Sequence, residues 1–372
     1  MVGATLAVTA TTVQASPPWS VVPSANPSAA TFSQLRGVSC PSAKSCFAVG
    51  TFSQGAVGKR LIEHWNGSSW SVMSSPIPAG ATFSRLLGVS CPSTRSCFAV
   101  GSYSVGPTGA FGLIEHWNGT NWGIMTNPNP GATFTGFVAV SCPSTRSCFA
   151  VGSNNTASST NQTLAEHWDG TSWSLMDSPN PAGTTPAVLY GVSCPSTTSC
   201  IAIGYYSPMT GDRTLAEHWN GSSWGIMTAA DPNDSTGTDP DGIFCPSTKS
   251  CFVGGSYHSG MTSKSLLMHW NGTNWSVMPH SLPAGGSYGD FYSISCPSLR
   301  SCFATGGYAT ATAGRALVEH WNGSSWGIMT VPNPGTTGDL LYGVSCPALR
   351  SCVAVGYQST AMLGTTLVER YP

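Results

Sequence analysis

Leu87-Gly88-Val89-Ser90-Cys91-Pro92 begins the stretch that decides the fold. Ser96-Cys97-Phe98-Ala99-Val100-Gly101 follows it, then Leu113-Ile114-Glu115-His116-Trp117, then Asn121-Trp122-Gly123-Ile124-Met125. Each run is short, rich in β-branched and aromatic residues, and bounded by Gly, Pro, Asn or Ser; none carries a helical period. The four runs read as strands a, b, c and d. Asn118-Gly119 between c and d supplies the positive φ that a tight hairpin needs. The whole stretch then recurs, with first cysteines at Cys40, Cys91, Cys142, Cys194, Cys245, Cys296 and Cys346, in steps of 50 to 52 residues. A unit of this length buries little alone, so its copies imply a stacked or circular array.

The two ends choose the circle. The seventh copy runs through Tyr342–Cys346, Cys352–Gly356 and Thr366–Tyr371, then stops at Pro372 without a strand d. Ahead of the first copy, Pro17-Pro18-Trp19-Ser20-Val21-Val22-Pro23 matches the missing strand, as seen in Trp70-Ser71-Val72-Met73. An N-terminal strand completing the last blade joins the ends and removes open sheet edges. The expected fold is all-β, a seven-bladed β-propeller with four antiparallel strands per blade. Its blades fall at about 35–78, 86–130, 137–181, 189–232, 241–283 and 291–334, with 341–372 completed by 17–23, in one domain spanning 16–372.

Gly101, Tyr103, Glu115, Trp117 and Trp122 stand where a kelch repeat has its Gly, Tyr, Glu, aromatic and Trp, and the unit resembles that family across residues 17 to 372. It departs in having Val-Gly where the pattern has a Gly pair, save at Gly254-Gly255 and Gly306-Gly307. Its paired cysteines look like those of cysteine-bearing propeller repeats in secreted bacterial proteins. The resemblance implies the propeller and leaves function open.

Fourteen cysteines form seven C-x5-C pairs around the a–b turn: Cys40–Cys46, Cys91–Cys97, Cys142–Cys148, Cys194–Cys200, Cys245–Cys251, Cys296–Cys302 and Cys346–Cys352. Thiolate metal sites use shorter spacings and gather four ligands, whereas these pairs are spread around a ring. Disulfides are the expectation, each contributing roughly 2 kcal/mol by loop entropy, and they place the chain in an oxidising compartment. Residues 1–15 are small and apolar, with Val13-Gln14-Ala15 before Ser16, and read as a partial signal peptide or a disordered tail. No apolar run reaches the length of a membrane span. The expected location is extracellular or at the cell surface.

Charge is sparse: 14 Lys plus Arg against 15 Asp plus Glu, a net of −1. Nucleic-acid binding and anionic membranes need a basic excess absent here. A monomer without cofactor, nucleic acid or membrane insertion is expected. Lys44, Arg95, Arg146, Lys249, Arg300 and Arg350 occupy the a–b turn, with Thr198 in copy four. Glu63, Glu115, Glu166, Glu217, Glu319 and Glu369 occupy strand c, with Met268 in copy five. Both sets read as one rim, where each cation pairs with a glutamate of the next blade or the cations recognise an anionic partner.

The Glu-His-Trp triplet invites an acid–base reading. Yet His64, His116, His167, His218, His269 and His320 recur in nearly every copy, which points to packing. The tryptophans beside each Asn-Gly turn read likewise as buried anchors, with sugar stacking open to any exposed ring. Asp231, Asp234, Asp239 and Asp241 are a weak calcium candidate lacking EF-hand spacing. No P-loop, G-x-S-x-G or H-E-x-x-H motif occurs, and the arginines off the rim, Arg36 and Arg85 among them, show no grouping. Variation gathers in the b–c loops and d–a connections. The expected function is a non-catalytic binding module that recognises a protein or cell-surface polysaccharide through them. A carbohydrate-active enzyme is the alternative, requiring a unique carboxylate pair or a metal at the central opening; a structural surface protein is another.

Overall fold

A computed structural model describes residues 19–55, 57–106, 109–130, 133–155, 161–182, 186–360 and 363–372, so the expected signal segment 1–15 lies outside the described residues. Unit two shows the pattern: strand a Phe83–Ser93, b Ser96–Ser104, c Ala110–Trp117 and d Trp122–Ile124. These pair antiparallel in the order a-b-c-d. All described elements are strands, and about seven units of this kind make up the chain. The antiparallel order sets the a–b and c–d turns on one rim, and the b–c loops and d–a connections on the other.

At the ends, Ser20 pairs with Arg370 and Val21 with Glu369, so the first strand lies alongside the last one, Gly364–Tyr371. Trp19 is buried beside Leu341, Cys352 and Phe303. Strand a of each unit lies beside strand a of the next, and that of unit seven beside that of unit one.

Two devices tie neighbouring units. The first is polar: Cys91 N donates to Ser39 Oγ at 3.0 Å, and Cys142 N to Ser90 Oγ at 3.0 Å. The same bond runs from Cys40 N to Ser345 Oγ at 3.0 Å, between the seventh and first units. Phe244 replaces the serine in unit five. The second is aromatic: Phe47 of unit one packs 5.5 Å from Trp117 and 5.7 Å from Trp122 of unit two. Apolar cores therefore form between units as much as within them.

One irregularity recurs in every strand a. Leu86 faces Gly101 and Gly88 faces Val100, which leaves Leu87 as the extra residue of a β-bulge. A Cβ at Gly101 would stand 2.1 Å from the Arg85 carbonyl, so only glycine lets strand b approach here.

Candidate functional site

The repeated residues are absorbed by the architecture. All seven cysteine pairs are bonded as expected, each with its Cα atoms 3.9 to 4.1 Å apart. His116 Nε2 shares a hydrogen bond with Ser96 Oγ at 3.0 Å and stacks on Phe98, with ring centroids 4.5 Å apart. The same pairing holds His64 to Ser45 and His320 to Ser301. Strand-d tryptophans such as Trp70, Trp122 and Trp224 are buried, so they anchor cores and offer no open face to a sugar.

The expected rim ion pairs are corrected by the structure. Lys44, Arg95, Arg146, Lys249, Arg300 and Arg350 are exposed on the a–b turns. The stem of Arg95 lies over Gly119, whose φ of 95° makes the c–d turn. Glu63, Glu115, Glu166, Glu217, Glu319 and Glu369 are instead fully buried at mid-strand. They face the preceding unit, at the residue five places after its strand-d tryptophan. Ser24 Oγ donates to Glu63 at 2.6 Å, Ser178 Oγ to both Glu217 oxygens at 3.0 and 3.1 Å, and His280 Nδ1 lies 3.3 Å from Glu319. Arg60 Nε lies 2.5 Å from Glu115 Oε1. Ala229 takes this place opposite Met268, so the polar pair is replaced by an apolar one.

Val331 takes the same place before Glu369, and neither Glu369 oxygen has a hydrogen-bond partner. Burial pushes that carboxyl up to about 8. Val331→Ser is expected to give Glu369 the donor that Ser178 gives Glu217. The difference in unfolding free energy between pH 5 and pH 8 should shrink by about 1 kcal/mol, measured by chemical denaturation at both pH values. An unchanged difference would show that the serine does not reach the carboxylate.

The four aspartates proposed for calcium do not form one site. Asp231 Oδ1 accepts from Thr214 N and Thr238 Oγ1, both at 3.2 Å. Asp234 pairs with Lys264 at 2.7 Å and accepts from Ser259. Asp241 lines the central cavity, and Asp239 lies beside it. Among the described residues no three His, Cys, Asp or Glu side chains stand where they could hold one metal ion.

What remains unabsorbed meets at the axis. The seven a strands line a cavity of about 540 Å³. Its walls vary most at the bulge, where the extra residue is Arg36, Leu87, Val138, Tyr190, Asp241, Tyr292 and Tyr342 in turn. The bulge re-aims this one side chain per unit into the cavity. Arg85 joins Arg36 there. Arg36 lies 3.9 Å over the Tyr342 ring, its Nε buried without a partner, and Arg85 Nε donates to Ser102 Oγ at 3.2 Å. Burial and the charge of Arg36 together pull Arg85 below the usual arginine range.

Carboxylates gather in units five and six. Asp290 is 7% exposed; its Oδ2 accepts from Ser256 Oγ and Tyr288 OH at 3.3 Å, and its Oδ1 has no partner. Burial raises Asp290 to about 7 despite those bonds, with Asp239 adding to the rise. Asp241 is pushed well above the carboxylate range by burial, then by Asp290 and Asp239, with Arg36 opposing. Burial also raises Tyr190, Tyr292 and Tyr342. Arg36 and Arg85, which looked ungrouped in sequence, thus share one cavity with Asp241, whose neighbours are Asp239 and Asp290.

No protein-family model and no curated protein sequence matches the chain. Solved structures similar to it are β-propeller proteins. YCF48 bound to D1 peptide matches with a TM-score of 0.58 at 14% identity, covering 96% of each chain. The GH74 xyloglucanase from Xanthomonas campestris matches at 0.57 and 13% identity, over 91% of this chain and 53% of that one. The six-bladed fucose-recognising lectin of Aleuria aurantia matches at 0.50 and 14% identity, over 82% and 97%. At these identities the likeness is one of fold.

Proposed function

We propose that the chain is a secreted, closed seven-bladed propeller of kelch-like repeats, one domain over 16–372, that works as a monomeric binding module. It takes one ligand, a protein segment or a cell-surface polysaccharide, at the cavity mouth between the b–c loops and d–a connections. The observation that carries this is the bulge position: seven copies of one structural device present side chains of differing chemistry to one cavity. A residue kept for the fold repeats; one used to recognise a ligand is free to differ. Neighbours that hold a peptide and fucose support the reading. The seven disulfides support export to an oxidising compartment.

The test is binding to glycan and peptide arrays by the native protein and by a Tyr292→Ala, Tyr342→Ala variant whose melting is unchanged. Saturable binding lost in the variant supports the mouth as the site, and binding that survives places recognition elsewhere. The enzyme alternative gains one observation, Asp241 at the central opening with Asp290 beside it. Release of reducing or unsaturated ends from polysaccharide, abolished by Asp290→Asn, would favour it over a binding module.

A further inference from the structure

Like charges are segregated around the cavity. Units one and two line it with Arg36 and Arg85; unit five lines it with Asp241, beside which lie Asp239 and Asp290 of units five and six. In a ring of seven, unit five faces the gap between units one and two, so the two groups oppose each other across the opening. Among the described residues neither arginine makes an ion pair, and the three aspartates make none. Asp290 keeps one oxygen unpartnered, and Arg36 keeps its Nε unpartnered. Each group repels itself, and burial in the cavity wall strengthens that repulsion. Packing alone would interleave the signs. An external counter-charge on each side relieves both clusters at once.

We infer that the mouth holds a peptide segment carrying an acidic group and a basic group, the acidic one on Arg36 and Arg85 and the basic one on Asp241. This rests on the binding reading above and narrows its ligand. A neutral sugar chain leaves both clusters desolvated without partners, and a polyanionic one meets Asp241 with two further carboxylates beside it. A polypeptide presents both signs on one backbone, and Tyr190, Tyr292 and Tyr342 offer amphipathic faces to the segment between them. The cavity volume suits a few side chains rather than a folded surface.

The probe is an array of short synthetic peptides in four classes: acid plus base, acid only, base only, and neutral. Uncharged and uronic oligosaccharides serve as competitors, and the protein is oxidised and full-length. The acid-plus-base class is expected to bind about tenfold more tightly than either single-sign class, the worth of one added charge-assisted contact. Arg36→Gln should erase the preference for the acid and Asp241→Asn the preference for the base, with melting temperatures unchanged. Added salt should weaken binding. Equal binding by neutral or single-sign peptides overturns the inference, as does no peptide binding at millimolar concentration. Binding only to oligosaccharides, lost in Tyr292→Ala, Tyr342→Ala, overturns the peptide ligand while leaving the mouth as the site. Charged-peptide binding indifferent to every mouth variant overturns the site itself.

Discussion

Reduction of all seven disulfides is expected to unfold the chain at room temperature without denaturant. Each bridge spans a sequence separation of 6 and removes roughly 2 kcal/mol of unfolded-state entropy. Together they approach the 5–15 kcal/mol that typically separates a folded domain from its unfolded chain, so about nothing remains when all are lost. The second cysteine of each pair, such as Cys97 or Cys302, is fully buried, so reduction will be slow until a unit opens. Thiol titration alongside tryptophan fluorescence follows both events. Removal of a single bridge by Cys91→Ala with Cys97→Ala should cost about 2 kcal/mol and leave a cooperative transition. A fully reduced chain that melts within a few degrees of the oxidised one would refute the role assigned to the bridges.

Stability is also expected to fall as pH rises from 6.5 to 8. Burial raises Glu63 and Glu166 from 4.5 to about 7, and Glu217 and Glu369 to about 8, more than their polar neighbours offset. Between 4.5 and those values the native state holds protons that the unfolded chain has released. Their contribution to stability is therefore fully present below 4.5 and declines with rising pH through that window. Burial lowers His64, His116, His167, His218, His269 and His320, which acts in the opposite sense but only below 6.5. From 6.5 to 8 the glutamates act without that opposition, and their combined effect is on the order of 5 kcal/mol. Glu217→Gln with Glu369→Gln mimics the protonated carboxyls. It should match the native protein near pH 5 and exceed it at pH 8, read from denaturant midpoints. Stability that climbs from 6.5 to 8, or a slope the double variant leaves intact, would reject the argument.

The strands, the disulfides and the pairing of Trp19-Ser20-Val21 with the last unit were legible because repetition presents each feature several times. The buried glutamates were not. Leu113, Ile114 and Glu115 are all fully buried, since units stack on both faces of each sheet. Alternation therefore gives no inside and outside, and a charge beside His116 looked solvent-facing. Thr198 and Met268 are not the two halves of one lost rim pair; Met268 packs instead in one core with Ala229 of unit four. The cavity residues were hidden for another reason. Side chains alternate along a regular strand, and a bulge shifts that order at the residue that matters. Asp239 and Asp241 were grouped with their sequence neighbours Asp231 and Asp234, whereas the carboxylate that joins them in space is Asp290. Aligning the copies and asking which strand-a position varies most would have found Arg36, Tyr190, Asp241, Tyr292 and Tyr342.

The contact between each strand-c residue and the position after the previous strand-d tryptophan also bears on how such a chain can be rearranged. The units look like interchangeable modules, yet each carries half of a match whose other half belongs to its successor. Moving unit five elsewhere would set Met268 against Ser75 or Ser178, and would bring Ala229 against a glutamate. A duplication that copies one unit in place keeps its matches only where the two halves agree. Array length is thus easier to change between some units than others, and the joint from four to five is the one that resists recombination.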